Sequence, residues 1–155
     1  MRRLTLAVLA ALVTSAAAGE LPPRRRGPLL AWLQAFTYRA TYVGEPAVHA
    51  SNTAHGANVR TYYSPVLVED LQAGRPTFRK GAAMVKELYF SGTEDVIGWS
   101  VMRKLRNRSG ATGRGWLFYE TLDGSNDGAF YGRGKPICTG CHADGTDYLL
   151  SPFRP

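Results

Sequence analysis

Residues 138–142 read Cys-Thr-Gly-Cys-His, and Cys138 and Cys141 are the only cysteines in the chain. Two thiols at this spacing can add across the two vinyl groups of one haem. The imidazole that follows is then held under the iron as its proximal ligand. The motif predicts one covalently attached haem c, with Cys138 and Cys141 as thioether donors and His142 as the iron ligand. Rival chemistries ask for more than the chain holds. A structural zinc site wants four ligands, commonly from two such pairs, and the sequence has no second pair. A thioredoxin-like pair opens a helix early in an alternating strand–helix pattern, whereas this one comes near the C-terminus after strand-like segments. A plain Cys138–Cys141 disulfide is the remaining alternative.

A haem attached this way requires an exported chain, and the N-terminus has the features of one. Arg2 and Arg3 precede an apolar run from Leu4 to Val13, and Ala16-Ala17-Ala18 offers a small-residue cleavage site. This pattern predicts a Sec-type signal peptide over residues 1–18. The run is too short to cross a bilayer, so no membrane span is expected after cleavage. The predicted compartment is the periplasm, where thioethers form on the translocated chain. The full chain carries a net charge of +7, and the leader contributes two arginines and no acid to it. A basic surface often marks nucleic-acid binding. Export and haem point instead to a periplasmic redox partner or a small anion, or to a charge that serves solubility alone.

Residues 19–155 suffice for one domain with its own core. Residues 19–28 are rich in Pro and Arg and predict an extended, solvated arm. The haem domain is expected over 29–155. Leu30, Leu33, Ala35 and Phe36 give an apolar stripe that predicts a helix at about 29–40, with Pro28 in its first turn. Ser64 as N-cap, Pro65 at the first position and Gly74 at the C-terminal end frame a second helix. Gly81–Phe90, Val96–Arg103 and Trp116–Leu122 are rich in β-branched and aromatic residues and read as strands. Gly- and Asn-rich stretches at 107–115 and 123–128 read as turns between them. The fold class expected is α+β, mainly an antiparallel β-sheet with a few helices.

That pattern does not suit the commonest haem folds. Small electron-transfer cytochromes carry the haem motif near the N-terminus and a Met ligand after it. Here residues 143–155 contain no Met. A four-helix cytochrome needs long Gly-poor helices, and this chain has 17 glycines.

The order of short motifs resembles the cytochrome P-460 family, with its relatives the beta-type cytochromes c-prime. The resemblance runs from about His55 to Pro152. It begins with His55-Gly56 and the run from Val59 to Tyr63. Gly81 to Glu87 follows, ending in Val85-Lys86-Glu87, and then Ser100 to Lys104. Gly115 to Tyr119, the Cys138–His142 motif and Asp147-Tyr148 complete it. The resemblance implies a mainly antiparallel sheet, a homodimer, and one haem with His142 proximal and an open distal side. It implies either hydroxylamine oxidation or binding of nitric oxide and related gases. The hydroxylamine oxidases of the family also carry a lysine bonded to the macrocycle and use a distal carboxylate for proton transfer.

Candidates for those distal roles follow from the strands. Lys86 is the first choice for a cross-link, with Lys80 and Lys104 as alternatives. Glu87, next to Lys86 on a predicted strand, should point to the opposite face. Glu120 is the candidate distal acid. An apolar distal face is the other option, with Phe78, Phe90, Phe118 or Phe130 crowding the iron. Met84, Met102, His49 or His55 as a sixth ligand would instead give a six-coordinate electron-transfer cytochrome. Arg133 and Lys135 are candidates for haem propionate contacts. Each of these side chains also has an ordinary reading as core or solvated surface.

Overall fold

The computed structural model describes residues 19–51 and 53–151. The predicted leader at 1–18 lies outside the described residues. The chain is a small α+β protein with an antiparallel sheet and three helices. In chain order the helices are α1 (Arg26–Gln34), α2 (Pro65–Gln72) and α3 (Pro136–His142). The strands are β1 (Val43–Gly44), β2 (His49–Ala50), β3 (Asn58–Tyr63), β4 (Ala83–Tyr89), β5 (Val96–Lys104), β6 (Trp116–Thr121) and β7 (Phe130–Arg133). They form one seven-stranded sheet in the order β1-β3-β4-β5-β6-β7, with β2 also paired to β3. Among the described residues no helix is long and apolar enough to cross a membrane.

Successive strand residues point to opposite faces, and the register carries that alternation across the sheet. Thr61 lies opposite Lys86, Lys86 opposite Ser100, Ser100 opposite Glu120, and Glu120 opposite Phe130. This row shares one face with Tyr63, Met84, Met102 and Phe118, which pack with Leu67 of α2, Phe78, Trp116 and Leu149. The other face carries Tyr62, Val85, Trp99, Val101 and Tyr119. It packs under α1 and the short 3-10 turn Thr37–Ala40 through Leu29, Trp32, Leu33 and Tyr38. With both faces covered, β4 has no exposed residue. Gly98 is required where β5 meets β6, since a Cβ there would lie 2.2 Å from the Thr121 carbonyl oxygen.

The second face is fastened by a buried carboxylate. Glu87 is fully buried. It accepts a 2.5 Å hydrogen bond from the Tyr38 hydroxyl, another from Tyr89, and 2.7 Å contact from Arg39. Trp99 donates its indole N–H to the Tyr38 oxygen at 3.0 Å. A buried carboxylate is tolerable only when so satisfied.

Several expectations need revision. The first helix begins at Arg26 and ends at Gln34, because Phe36 takes a left-handed conformation (φ 53°) that stops it; only the 3-10 turn follows. The arm before it keeps its arginines exposed but is anchored to the sheet rather than free. Pro22 is buried, and the carbonyls of Glu20, Pro22 and Arg24 accept from Tyr42, Arg103 and Tyr131. Strands β1, β2, β3 and β7 were not anticipated. The second helix has the expected frame: the Ser64 hydroxyl accepts from the Leu67 N–H at 3.3 Å, and Gly74 is left-handed at φ 59°.

Glu87→Gln removes the negative charge while keeping the shape. It is expected to cost about 1–3 kcal/mol, the usual penalty for leaving buried partners poorly satisfied. Urea unfolding of the variant against the parent chain measures it.

Candidate functional site

The Cys-Thr-Gly-Cys-His motif forms α3, which starts at Pro136, a residue suited to a first helical turn. Cys138 and Cys141 carry free thiols. Burial pushes the Cys138 thiol up to about 11. His142 closes the helix and is 7% exposed. Its Nδ1–H donates to the Tyr148 carbonyl at 2.8 Å. That bond selects the tautomer whose Nε2 is free for a metal, the usual arrangement around a ligating imidazole. Burial lowers the His142 pKa, so the neutral, metal-binding form is favoured.

The carbonyl that orients His142 sits in a tightly built turn. Gly145 allows the chain to double back, because a Cβ there would lie 2.3 Å from the Leu149 carbonyl oxygen. Asp147 and Tyr148 are left-handed, with φ of 48° and 71°. Such conformations cost non-glycine residues about 1 kcal/mol or more each and persist only when neighbours enforce them. The Asp147 carboxylate accepts from the Phe78 N–H at 2.8 Å and from the Ser109 hydroxyl, and pairs with the buried Lys104 ammonium. Trp116 donates its indole N–H to the Asp147 carbonyl at 2.7 Å. The Tyr148 hydroxyl donates to the Ala111 carbonyl at 2.9 Å.

In front of α3 lies a cavity of about 480 Å³. Its lining includes both thiols, His142, His55, Lys86 and Glu120, and four hydrophobic side chains, Leu122, Phe130, Ile137 and Leu150. All four hydrophobics are exposed, Ile137 by 65%. Apolar groups left open around a concave site with a few polar residues are the mark of a ligand pocket. A second cavity of about 470 Å³ adjoins the first, sharing Lys86, Thr53 and Leu150 with it. It is lined by Glu45, His49 and Tyr63 among others.

Lys86 therefore stands at the junction of the two cavities. Burial lowers its pKa, while the charges of Glu45 and Glu120 oppose that shift. Glu120 accepts a 2.6 Å hydrogen bond from His55 Nδ1. The His55 and His142 rings lie 5.9 Å apart, centre to centre. The sequence placed Lys86, Glu120 and the motif in separate segments, and the register brings them together. His55, weighed only as an alternative, proves central. Glu45 was missed; it is buried, accepts from the Thr61 N–H at 2.7 Å, and contacts His49 at 3.1 Å. Nothing in its local sequence marks it, because its partners come from β2 and β3.

Other candidates fall elsewhere. Phe78 does not line the cavity in front of α3; it is 1% exposed and packs in the core edge-on to Trp116. Arg133 does not face the cavity either. Phe130 opposite Glu120 takes the cavity face, so alternation sends Arg133 to the other one, beside Arg24 and Tyr131. Lys104 is spent in the pair with Asp147, and Lys80 is exposed outside the cavity. Met84 and Met102 face each other across strands in the core. His49 lines the adjoining cavity, Phe90 is exposed, and Phe118 lies 5.6 Å from the His142 ring. Glu87 is on the face opposite Lys86, as strand alternation requires.

The residues fit a covalently attached haem: paired thiols, an oriented imidazole and an apolar cavity meet at one place. Among the described residues no group of three or more His, Cys, Asp or Glu side chains is arranged to hold a metal ion alone. No family model matches the chain, and no curated protein matches it.

Lys86→Met should stabilise the haem-free chain by about 1 kcal/mol, because it replaces a largely buried cation with an apolar side chain. The pH dependence supplies a second check. The folded-state pKa of Lys86 lies below its ordinary 10.5, so the unfolded chain binds that proton more tightly. Stability from this group therefore rises with pH between the folded value and 10.5. Urea midpoints measured across that interval should slope upward in the parent and lose that component in Lys86→Met.

Proposed function

We propose that the chain is a periplasmic mono-haem c-type cytochrome of the cytochrome P-460 type, acting on a small nitrogen species. The observation that supports this best is the meeting of Cys138, Cys141, a tautomer-fixed His142, Lys86 and Glu120 in one apolar cavity. The haem, when bound, supplies a redox-active iron with a coordination position for a small ligand.

The chain's own residues have separable tasks. Cys138 Sγ and Cys141 Sγ anchor the macrocycle, and His142 Nε2 holds the iron. The Tyr148 carbonyl keeps that nitrogen aimed and raises its donor strength. Leu122, Phe130, Ile137 and Leu150 exclude water. Of the three lysines considered, only Lys86 lines the cavity, so a bond from lysine to the macrocycle falls to it. Its lowered pKa enlarges the share of neutral amine available for that bond. Glu120, hydrogen-bonded to His55, can accept and pass on a proton. A carboxylate–imidazole pair in the cavity suits hydroxylamine, which must lose protons on oxidation, better than capture of a gas without turnover. Electrons would leave to a periplasmic redox partner. A homodimer is expected from the resemblance.

A second reading is an electron carrier with His55 as sixth ligand. It is favoured by the closeness of the two imidazole rings, each with Nδ1 already engaged.

Optical spectra of holoprotein matured in a periplasm decide among these. A broadened, strongly red-shifted ferrous Soret band that reverts to an ordinary c-type band in Lys86→Met is expected for hydroxylamine oxidation. An ordinary five-coordinate spectrum that responds to nitric oxide would leave gas binding. A sharp low-spin spectrum, indifferent to nitric oxide and lost in His55→Ala, would establish the electron carrier.

A further inference from the structure

We propose that the buried pair Lys104–Asp147 is a positioning device for the proximal ligand, setting how strongly His142 donates to the iron. The inference rests on the haem reading above and assigns to these two residues a task that neither the motif nor the cavity reveals.

The chain of contacts is short and continuous. Lys104, at the end of β5, is 1% exposed. Its ammonium lies over the Trp116 ring, 4.7 Å from the centre, and meets both Ser109 and Asp147. Burial lowers the Lys104 pKa, and Asp147 works against that shift. The Asp147 carboxylate gathers donors from three separate segments: Lys104, Ser109 and the Phe78 N–H. Its backbone carbonyl takes a fourth from Trp116. Together they hold Asp147 and the next residue in left-handed backbone. The next residue is Tyr148, whose carbonyl receives the His142 Nδ1–H at 2.8 Å. The bonds from the Tyr148 N–H to the Gly145 carbonyl and from the Leu149 N–H to the Thr146 carbonyl close the same turn.

A buried ion pair is a costly way to fasten a turn, and hydrophobic residues of the same volume often stabilise as well or better. A purely structural role therefore explains the choice of residues poorly. Orientation explains it better. A carbonyl aimed at Nδ1–H strengthens the imidazole as a donor, and a partner behind a ligand tunes the metal it serves. Stronger donation favours ferric over ferrous iron. Release of the turn should weaken the Nδ1 bond and raise the reduction potential.

The test uses holoprotein of the parent, Asp147→Asn, Lys104→Met and Lys104→Arg. Glu87→Gln serves as a control destabilised on the far face of the sheet. Mass spectrometry reports haem attachment, redox titration the potential, and resonance Raman the ferrous iron–histidine stretch. The expected result is a raised potential and a lowered stretching frequency in Asp147→Asn and Lys104→Met. Lys104→Arg should recover part of both, and Glu87→Gln should leave both at the parent value. Parent-like potential and stretch in Asp147→Asn and Lys104→Met, whatever their unfolding midpoints, would overturn the positioning role and leave the haem reading intact. A parent protein without attached haem would overturn the haem reading and this proposal with it.

Discussion

Everything in this structure depends on the fact that two adjacent, oppositely charged residues of β4 must enter opposite faces of the sheet. Glu87 goes to the face under α1, where two tyrosines and Arg39 satisfy it. Lys86 goes to the face that carries α3, between Glu45 and Glu120. A slip of one residue would exchange them. It would drive a second carboxylate toward Glu120 and an ammonium among tyrosine hydroxyls. The charges thus lock the register of the central strand, and that register aligns Lys86, Ser100, Glu120 and Phe130 in one row across four strands.

The two faces are built for different purposes. The far face is closed: α1, the 3-10 turn and the N-terminal arm cover it, and Glu87, Tyr38, Tyr89 and Trp99 bond to one another within it. The near face is closed only at one end, by α2, Phe78 and Trp116. At the other end hydrophobic side chains stand open around a concavity. Stability comes from the closed regions, and the open region is free to keep an incompletely paired lysine and a histidine–carboxylate pair. Burial shifts titratable groups on both faces: tyrosines such as Tyr38 and Tyr42 on the far one, and Lys86, Cys138 and His142 beside the thiol-bearing helix.

Local chemistry in the chain was legible where one short segment carries its own signal. The Ser64-Pro65 helix start needed no context. The parity of Lys86 and Glu87 followed from strand alternation alone. What sequence could not reveal depended on partners far along the chain. Phe78 and Arg133 looked available because nothing local shows that Trp116 covers one and that the β6–β7 register turns the other away. His55 and Glu45 looked ordinary because their neighbours, Glu120 and Thr61, come from other segments. Strand β3 was missed although Val59, Thr61 and Tyr63 alternate with Arg60 and Tyr62 and the run is as long as β6, which was expected. The haem-type motif lies on a helix of seven residues, too short to stand by itself in water.

That brevity bears on the order in which the molecule is assembled. The helix is held mainly at its ends, by Lys135 and Thr139 at its start and by the His142–Tyr148 bond at its close. Pro136, Ile137, Gly140 and Cys141 are exposed, Ile137 and Cys141 at the open cavity. The sheet and both of its buried charge clusters involve no residue of this helix. The sheet can therefore be complete before Asp147 docks on Lys104 and Trp116 and brings the Tyr148 carbonyl to the imidazole.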